Sequence, residues 1–169
     1  MNELRVGRAS EATCATLKAT EARGLTAVNG IEPTKLFARN VDVDAVNKRK
    51  LQELPGAETP LMAQDEGDEN KIKDCAYPKE LILKVDAQVM LLKNIDVKAK
   101  LINGSRGRVV AIQRKGGSID SIKCVFQHAG EWNVKRDEAT VEQAGKVLAR
   151  RSQFPLRLAW ALTIHKSQG

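Results

Sequence analysis

The chain has little of what covalent or metal chemistry needs. Its 169 residues include three cysteines, Cys14, Cys75 and Cys124, odd in number, widely spaced and without a C-x-x-C pair. The two histidines, His128 and His165, lie far from any of them. This pattern argues against a disulfide framework or a zinc site and for a reducing, intracellular compartment. Aromatic residues make up only 4% of the chain, so platforms for stacking bases must be few. No apolar run reaches the roughly 20 residues of a membrane-crossing helix, so no membrane partner is expected. Acids are outnumbered, 21 against 28 lysines and arginines, leaving a net charge of +7. That excess suggests an anionic partner, with a solvated basic surface as the alternative. Arg5 and Arg8 stand among hydroxyl residues in the manner of a transit peptide, but Glu3, Glu11 and Glu21 argue against one.

What is present is the composition of a globular protein, 42% hydrophobic and 29% charged. Asn2 to about Arg23 reads as helical, with Ser10-Glu11 as a helix start. Gly24 and the Asn29-Gly30 pair mark a break. Asn-Gly suits a two-residue hairpin turn, but the flanking strand signal is too weak to assign one. Leu36-Phe37-Ala38 is a short buried strand, and Asn40 is the expected N-cap of the helix that follows. From Val41 to Leu54 the apolar residues Val43, Val46, Leu51 and Leu54 share one stripe, and Pro55-Gly56 ends it. A strand feeding a capped helix is the unit of an α/β domain. Arg39 sits at that junction, where phosphates often dock. The acidic, polar stretch from Glu58 to Glu80 reads as a surface loop or insertion.

The pattern changes at Leu81. Short apolar runs at 81–85, 88–92, 108–112, 122–126, 132–134 and 147–149 are punctuated by Asn103-Gly104, Gly107 and Gly116-Gly117. Such spacing predicts a small all-β barrel or sandwich. Lys93, Lys98, Lys100, Arg106, Arg108, Arg114 and Lys115 lie between or beside the strands. A small β barrel with a basic face is a common nucleic-acid module. Pro155 then suits the start of a strand. The closing stretch sets Thr163, His165, Lys166, Ser167, Gln168 and Gly169 on the end of an apolar run, Leu158 to Leu162. A polar cluster on a rigid element is how contact sites are built, and Trp160 inside the run is expected to be core.

Thr163-Ile164-His165-Lys166-Ser167-Gln168-Gly169, preceded by Pro155-Leu156-Arg157-Leu158-Ala159-Trp160-Ala161, resembles a motif late in the second motor domain of superfamily-one DNA helicases of the PIF (petite integration frequency) and RecD branch. Leu83 to Asn94, with Leu101-Ile102-Asn103-Gly104 and Gly107, resembles the start of the SH3-like barrel inserted in the PIF branch. Pro33 to Phe37, then Val43, Asn47 and Leu51 to Gly56, resembles the first strand and helix of its second RecA-like domain. Asn2 to Arg8 resembles a helix near the end of the first. Asp86 stands where the family usually has Gly, so that turn is expected to differ in shape. No G-x-x-x-x-G-K-S/T phosphate loop occurs, and no hydrophobic strand ending in an acidic pair.

The resemblance implies an α/β fold: a partial RecA-like domain of the P-loop NTPase type carrying an inserted SH3-like barrel. The expected divisions are 1–30 for the end of the first motor domain, 31–57 for the opening of the second, 58–80 for the acidic loop, 81–152 for the barrel and 153–169 for the return to the motor. The chain is expected to be a piece of an ATP-dependent DNA helicase. ATP and Mg2+ would serve the intact enzyme and not this piece alone, and the partners would be single-stranded or forked DNA and the missing first RecA-like domain. Work in DNA repair, recombination and telomere maintenance, in nucleus or mitochondrion, would follow for a eukaryotic parent. Thr163, His165 and Lys166 would face the DNA strand, with Lys93, Arg106 and Arg108 guiding it from the barrel. Gln168, Gly169 and Arg39 would lie toward the nucleotide. Two other readings compete: a non-catalytic basic β-barrel module that binds nucleic acid, and a protein-interaction adapter.

Overall fold

The computed structural model describes residues 2–21 and 24–164. The N-terminal helix divides in two, α1 (Asn2–Arg5) and α2 (Glu11–Glu21), because Gly7 turns left-handed between them with φ +68°. Ser10 caps α2 as its sequence suggests, its Oγ accepting from the Thr13 N–H at 3.3 Å. Glu3 reaches back to accept from the Ser10 N–H and from both hydroxyls, which lowers its carboxyl to about 2.

Asn29 and Gly30 both take positive φ, 55° and 75°, between Val28 and Ile31, which form an antiparallel bridge. The pair therefore makes the tight turn its chemistry suits, despite weak flanking strand signals. Strand β1 (Lys35–Phe37) follows and is less buried than expected, with Leu36 52% exposed. The reason is that β1 has one neighbour among the described residues, β12 (Ala161–Thr163), to which it runs parallel. Helix α3 (Asn40–Glu53) ends before Pro55-Gly56 as expected. Its N-cap position is Arg39 rather than Asn40 and carries no side-chain cap. The buried face of α3 is Val43, Asn47 and Leu51, a polar residue standing between two apolar ones.

The acidic segment is not a plain loop. It holds β2 (Thr59–Met62), β3 (Gln64–Gly67) and a single 3-10 turn, Lys71–Asp74. Strand β2 pairs with β4 (Glu80–Leu83), and β3 pairs with β10 (Lys146–Gln153). A Cβ at Gly67, φ +92°, would strike the Leu148 carbonyl oxygen, so the close approach of these strands needs glycine. The remaining strands are β5 (Gln88–Leu91), β6 (Arg106–Lys115), β7 (Ser118–Phe126), β8 (Gly130–Lys135), β9 (Asp137–Gln143) and β11 (Leu156–Leu158). They complete a five-stranded antiparallel sheet ordered β11-β5-β6-β7-β8 and a three-stranded one ordered β3-β10-β9.

The fold is thus mixed α and β, and among the described residues its ladders form four separate sheets rather than one closed barrel. The antiparallel part also draws strands from both sides of 81–152, namely β3 and β11. One apolar cluster joins Leu51 of α3 to Leu81, Leu83, Val89, Phe126, Phe154 and Trp160. Trp160 is core, as expected.

Candidate nucleic-acid and nucleotide contact site

Strands β1 and β12 run parallel in the register Lys35–Ala161, Leu36–Leu162, Phe37–Thr163, so their carboxyl ends lie together. In open α/β sheets that end is where ligands bind. Arg39 leaves β1 there and Thr163 closes β12 there, which brings two of the expected contact residues to one edge. The Arg39 side chain is 77% exposed and pairs with Asp42 in the first turn of α3, at 3.0 Å from Nε and 3.2 Å from Nη2. That carboxylate holds the guanidinium above its ordinary value. Thr163 is 5% exposed and lines a groove of about 550 Å³ together with Asn40, Asp44, Lys48 and Arg157. His165, Lys166, Gln168 and Gly169 lie outside the described residues.

Arg157 is a residue that sequence reasoning missed. It projects from β11 into the same groove, where its Nη2 donates to the Ala76 carbonyl at 3.4 Å. Its Nε is buried without a hydrogen-bond partner among the described residues. Burial lowers the Arg157 guanidinium from its ordinary value, against the charge of Asp44.

The basic residues on the antiparallel sheets are less free than their sequence suggests. Lys93 donates to Asp137 at 2.6 Å, and Asp137 also accepts from the Tyr77 hydroxyl at 2.6 Å. Arg108 is ion-paired with Asp86. Asp86 takes φ +68°, the region glycine enters freely, and the bond to Arg108 secures it there. Arg106 opens β6 half-buried, with its Nε unpartnered among the described residues. Arg108 borders a second groove of about 310 Å³ beside Gly30, Glu32, Lys50 and Trp160, whereas Lys93 sits by Tyr77 and Asp137. These lysines and arginines therefore do not gather into one cluster with Arg39 and Thr163.

The approach to the candidate edge is fixed by side-chain amides. Gln88, 1% exposed, accepts from the Glu32 N–H at 2.8 Å and donates to the carbonyls of Glu32 and Ala159 at 2.9 Å each. Thr34 donates its hydroxyl to Ala159 at 2.8 Å. Asn47, 6% exposed, donates to the Ala161 carbonyl and accepts from the Ala161 N–H, both at 3.0 Å. A single polar residue on the buried stripe, between Val43 and Leu51, was the available signal for Asn47. Among the described residues no cluster of three His, Cys, Asp or Glu could hold a metal, and no helix is long and apolar enough to cross a membrane.

The family described as "DNA helicase Pif1, 2B domain" matches residues 70–112. The human ATP-dependent DNA helicase PIF1 is 37% identical over 177 aligned positions, covering 100% of this chain and 26% of the human protein. The crystal structure of Pif1 helicase from Candida albicans superposes with a TM-score of 0.76 at 32% identity, over 99% of this chain and 44% of that one. The structure of Bacteroides Pif1 bound to ssDNA superposes with a TM-score of 0.66 at 25% identity, over 99% of this chain and 39% of that one. The chain spans about a quarter of the curated relatives it matches. Whole-length similarity, the 2B match and the shared structure together make this chain a member of the Pif1 helicase family.

Proposed function

We propose that this chain forms part of the second motor domain of an ATP-dependent DNA helicase, together with its accessory β module. The carrying observation is the parallel register of β1 and β12, in which Thr163 lies opposite Phe37, two residues before Arg39 at the start of α3. Thr163 and the following His165 and Lys166 contact single-stranded DNA, a hydroxyl and two basic groups suited to phosphate oxygens. Arg39, Gln168 and Gly169 form one wall of the nucleotide cleft. Arg39 fits that role by its exposure at a helix N-terminus, where N–H groups and the helix dipole favour a phosphate. ATP, when bound, supplies the free energy for stepping along the strand, and Mg2+ is held by groups other than those described here. Lys93, Arg106 and Arg108 guide DNA from the accessory module, which we assign as SH3-like and centred on 81–152.

In this division 1–30 closes the first motor domain, 31–57 opens the second, 58–80 is an insertion and 153–169 returns to the motor. The first RecA-like domain is the necessary partner, and single-stranded or forked DNA the substrate. The work is unwinding for repair, recombination and telomere maintenance, inside the cell, in nucleus or mitochondrion. The test is a salt titration of the purified chain with labelled oligothymidylate. Three to five phosphate contacts give a log–log slope of about −2 to −3.5. The same preparation is expected to hydrolyse no ATP, because the sequence holds no phosphate loop. No binding at low salt refutes the DNA assignment, and robust hydrolysis refutes the division of labour.

A further inference from the structure

We infer that Asn47 is a positioning residue for the contact segment, acting through strand β12. This rests on the functional reading above. In a parallel pair, the polar groups of successive residues on one strand point alternately toward and away from the neighbour. Lys35 donates its N–H to the Trp160 carbonyl at 2.9 Å, so the next residue, Ala161, turns its own N–H and C=O away from β1. Both of those groups are taken by Asn47. One carboxamide on a helix thus does for Ala161 what a further strand would do.

The consequence is geometric. Ala161 stands two residues before Thr163 on the same three-residue strand, so the fixed peptide at 161 holds the backbone that carries Thr163. Upstream, Ala159 is held by Gln88 and Thr34, so among the described residues Asn47 is the side-chain clamp nearest before Thr163. Asn47 also sits on the helix that begins at Arg39. A rigid helix with Arg39 at its start and Asn47 on its buried face ties the nucleotide-side group to the DNA-side strand. A buried carboxamide with both ends satisfied is a stiff coupling, because its two bonds hold only while α3 and β12 keep their relative placement.

The experiment uses the whole chain with Asn47→Leu, which keeps the volume and loses both bonds, and Asn47→Asp. The aspartate keeps the shape of the native side chain and an acceptor for the Ala161 N–H but sets an oxygen against the Ala161 carbonyl, so it tests the donor alone where the leucine removes both bonds. Amide exchange at Ala161 should quicken by about tenfold or more in Asn47→Leu, as expected for losing bonds worth on the order of 1 kcal/mol each. Oligothymidylate binding should weaken about three- to tenfold in both variants, with the salt slope flatter by about one contact. A role confined to stability would lower the urea midpoint and leave the slope of the folded protein unchanged. Wild-type affinity and slope in a folded variant overturn the inference, as does unchanged exchange at Ala161 in Asn47→Leu. An unmutated chain that binds no oligothymidylate instead refutes the functional reading, and the exchange data still decide whether Asn47 holds the strand.

Discussion

The parallel pair with α3 and the β3-β10-β9 sheet are fastened by opposite chemistry. Around β1 and β12 the buried side-chain ties are neutral: Asn47, Gln88 and Thr34 bond to backbone groups and carry no charge, and the Lys50–Glu32 ion pair lies nearer the surface. Around β10 a neutral clamp, Gln153 on the Leu61 carbonyl, is joined by ionic ties. Arg151, 5% exposed, holds Asp65 with two bonds of 2.7 Å and the Tyr77 carbonyl with a third at 2.8 Å. Neighbouring Asp137 gathers Tyr77 and Lys93. Neutral clamps are indifferent to pH and little affected by salt, whereas ionic ones respond to pH and depend on how deeply they are buried. The buried ties of the candidate contact edge lie on the indifferent side, and its one ion pair, Arg39 with Asp42, stands exposed at the rim.

Three measurements would break or sharpen that contrast. The largest effect is expected from Arg151→Ala, which leaves Asp65 without its partner and should cost about 3 kcal/mol, near the low end for buried pairs because Asp65 is 28% exposed. Urea unfolding reads the loss, and residue-level exchange should show β3 and β10 opening before β12. Equal loosening of both regions would dissolve the distinction.

Acid should act next, and less strongly. Hydrogen bonds from Arg151 hold the Asp65 carboxyl below its ordinary value. The stability this contributes is complete above the unfolded aspartate value of about 3.9 and is lost as pH falls through the lower folded value. Urea midpoints taken between pH 6 and 3 should therefore fall, and Asp65→Asn should flatten that part of the profile. The smallest effect belongs to Tyr77→Phe, about 1 kcal/mol for one hydroxyl bond to Asp137, with the Lys93 pair left in place.

Much of the order of elements was legible in the chain, and the failures have physical causes. Pro55-Gly56 stops α3, Pro155 precedes β11, and the glycine-punctuated apolar runs became β4 to β8. Strands β3 and β9 were hidden because their residues, Gln64-Asp65-Glu66-Gly67 and Asp137 to Gln143, are polar and mostly exposed. They are strands because their neighbour β10 offers unpaired backbone on both sides, a tertiary fact that no local pattern states. Lys93 and Arg108 read as free cations because the partners Asp137 and Asp86 lie 44 and 22 positions away along the chain. The edge itself was foreshadowed by Thr163 and Arg39, whereas Asn47 stood in the family resemblance without a role, because its partner Ala161 lies 114 positions away. Gln88 stood at the head of an apolar run, and its three bonds show only once the chain is folded.

The join between β11 and β12 has a mechanical consequence. A single stretch leaves the five-stranded antiparallel sheet at Leu158 and enters the parallel pair at Ala161, with only Ala159 and Trp160 between, 0% and 6% exposed. Backbone bonds from Ala159 to the Gln88 carbonyl and from Lys35 to Trp160 pin both connecting residues. The two sheets are therefore not hung on a hinge but share a crankshaft. A shift of β11 along its length is expected to reach Thr163 as displacement, because the two-residue connection is buried and bonded on both sides.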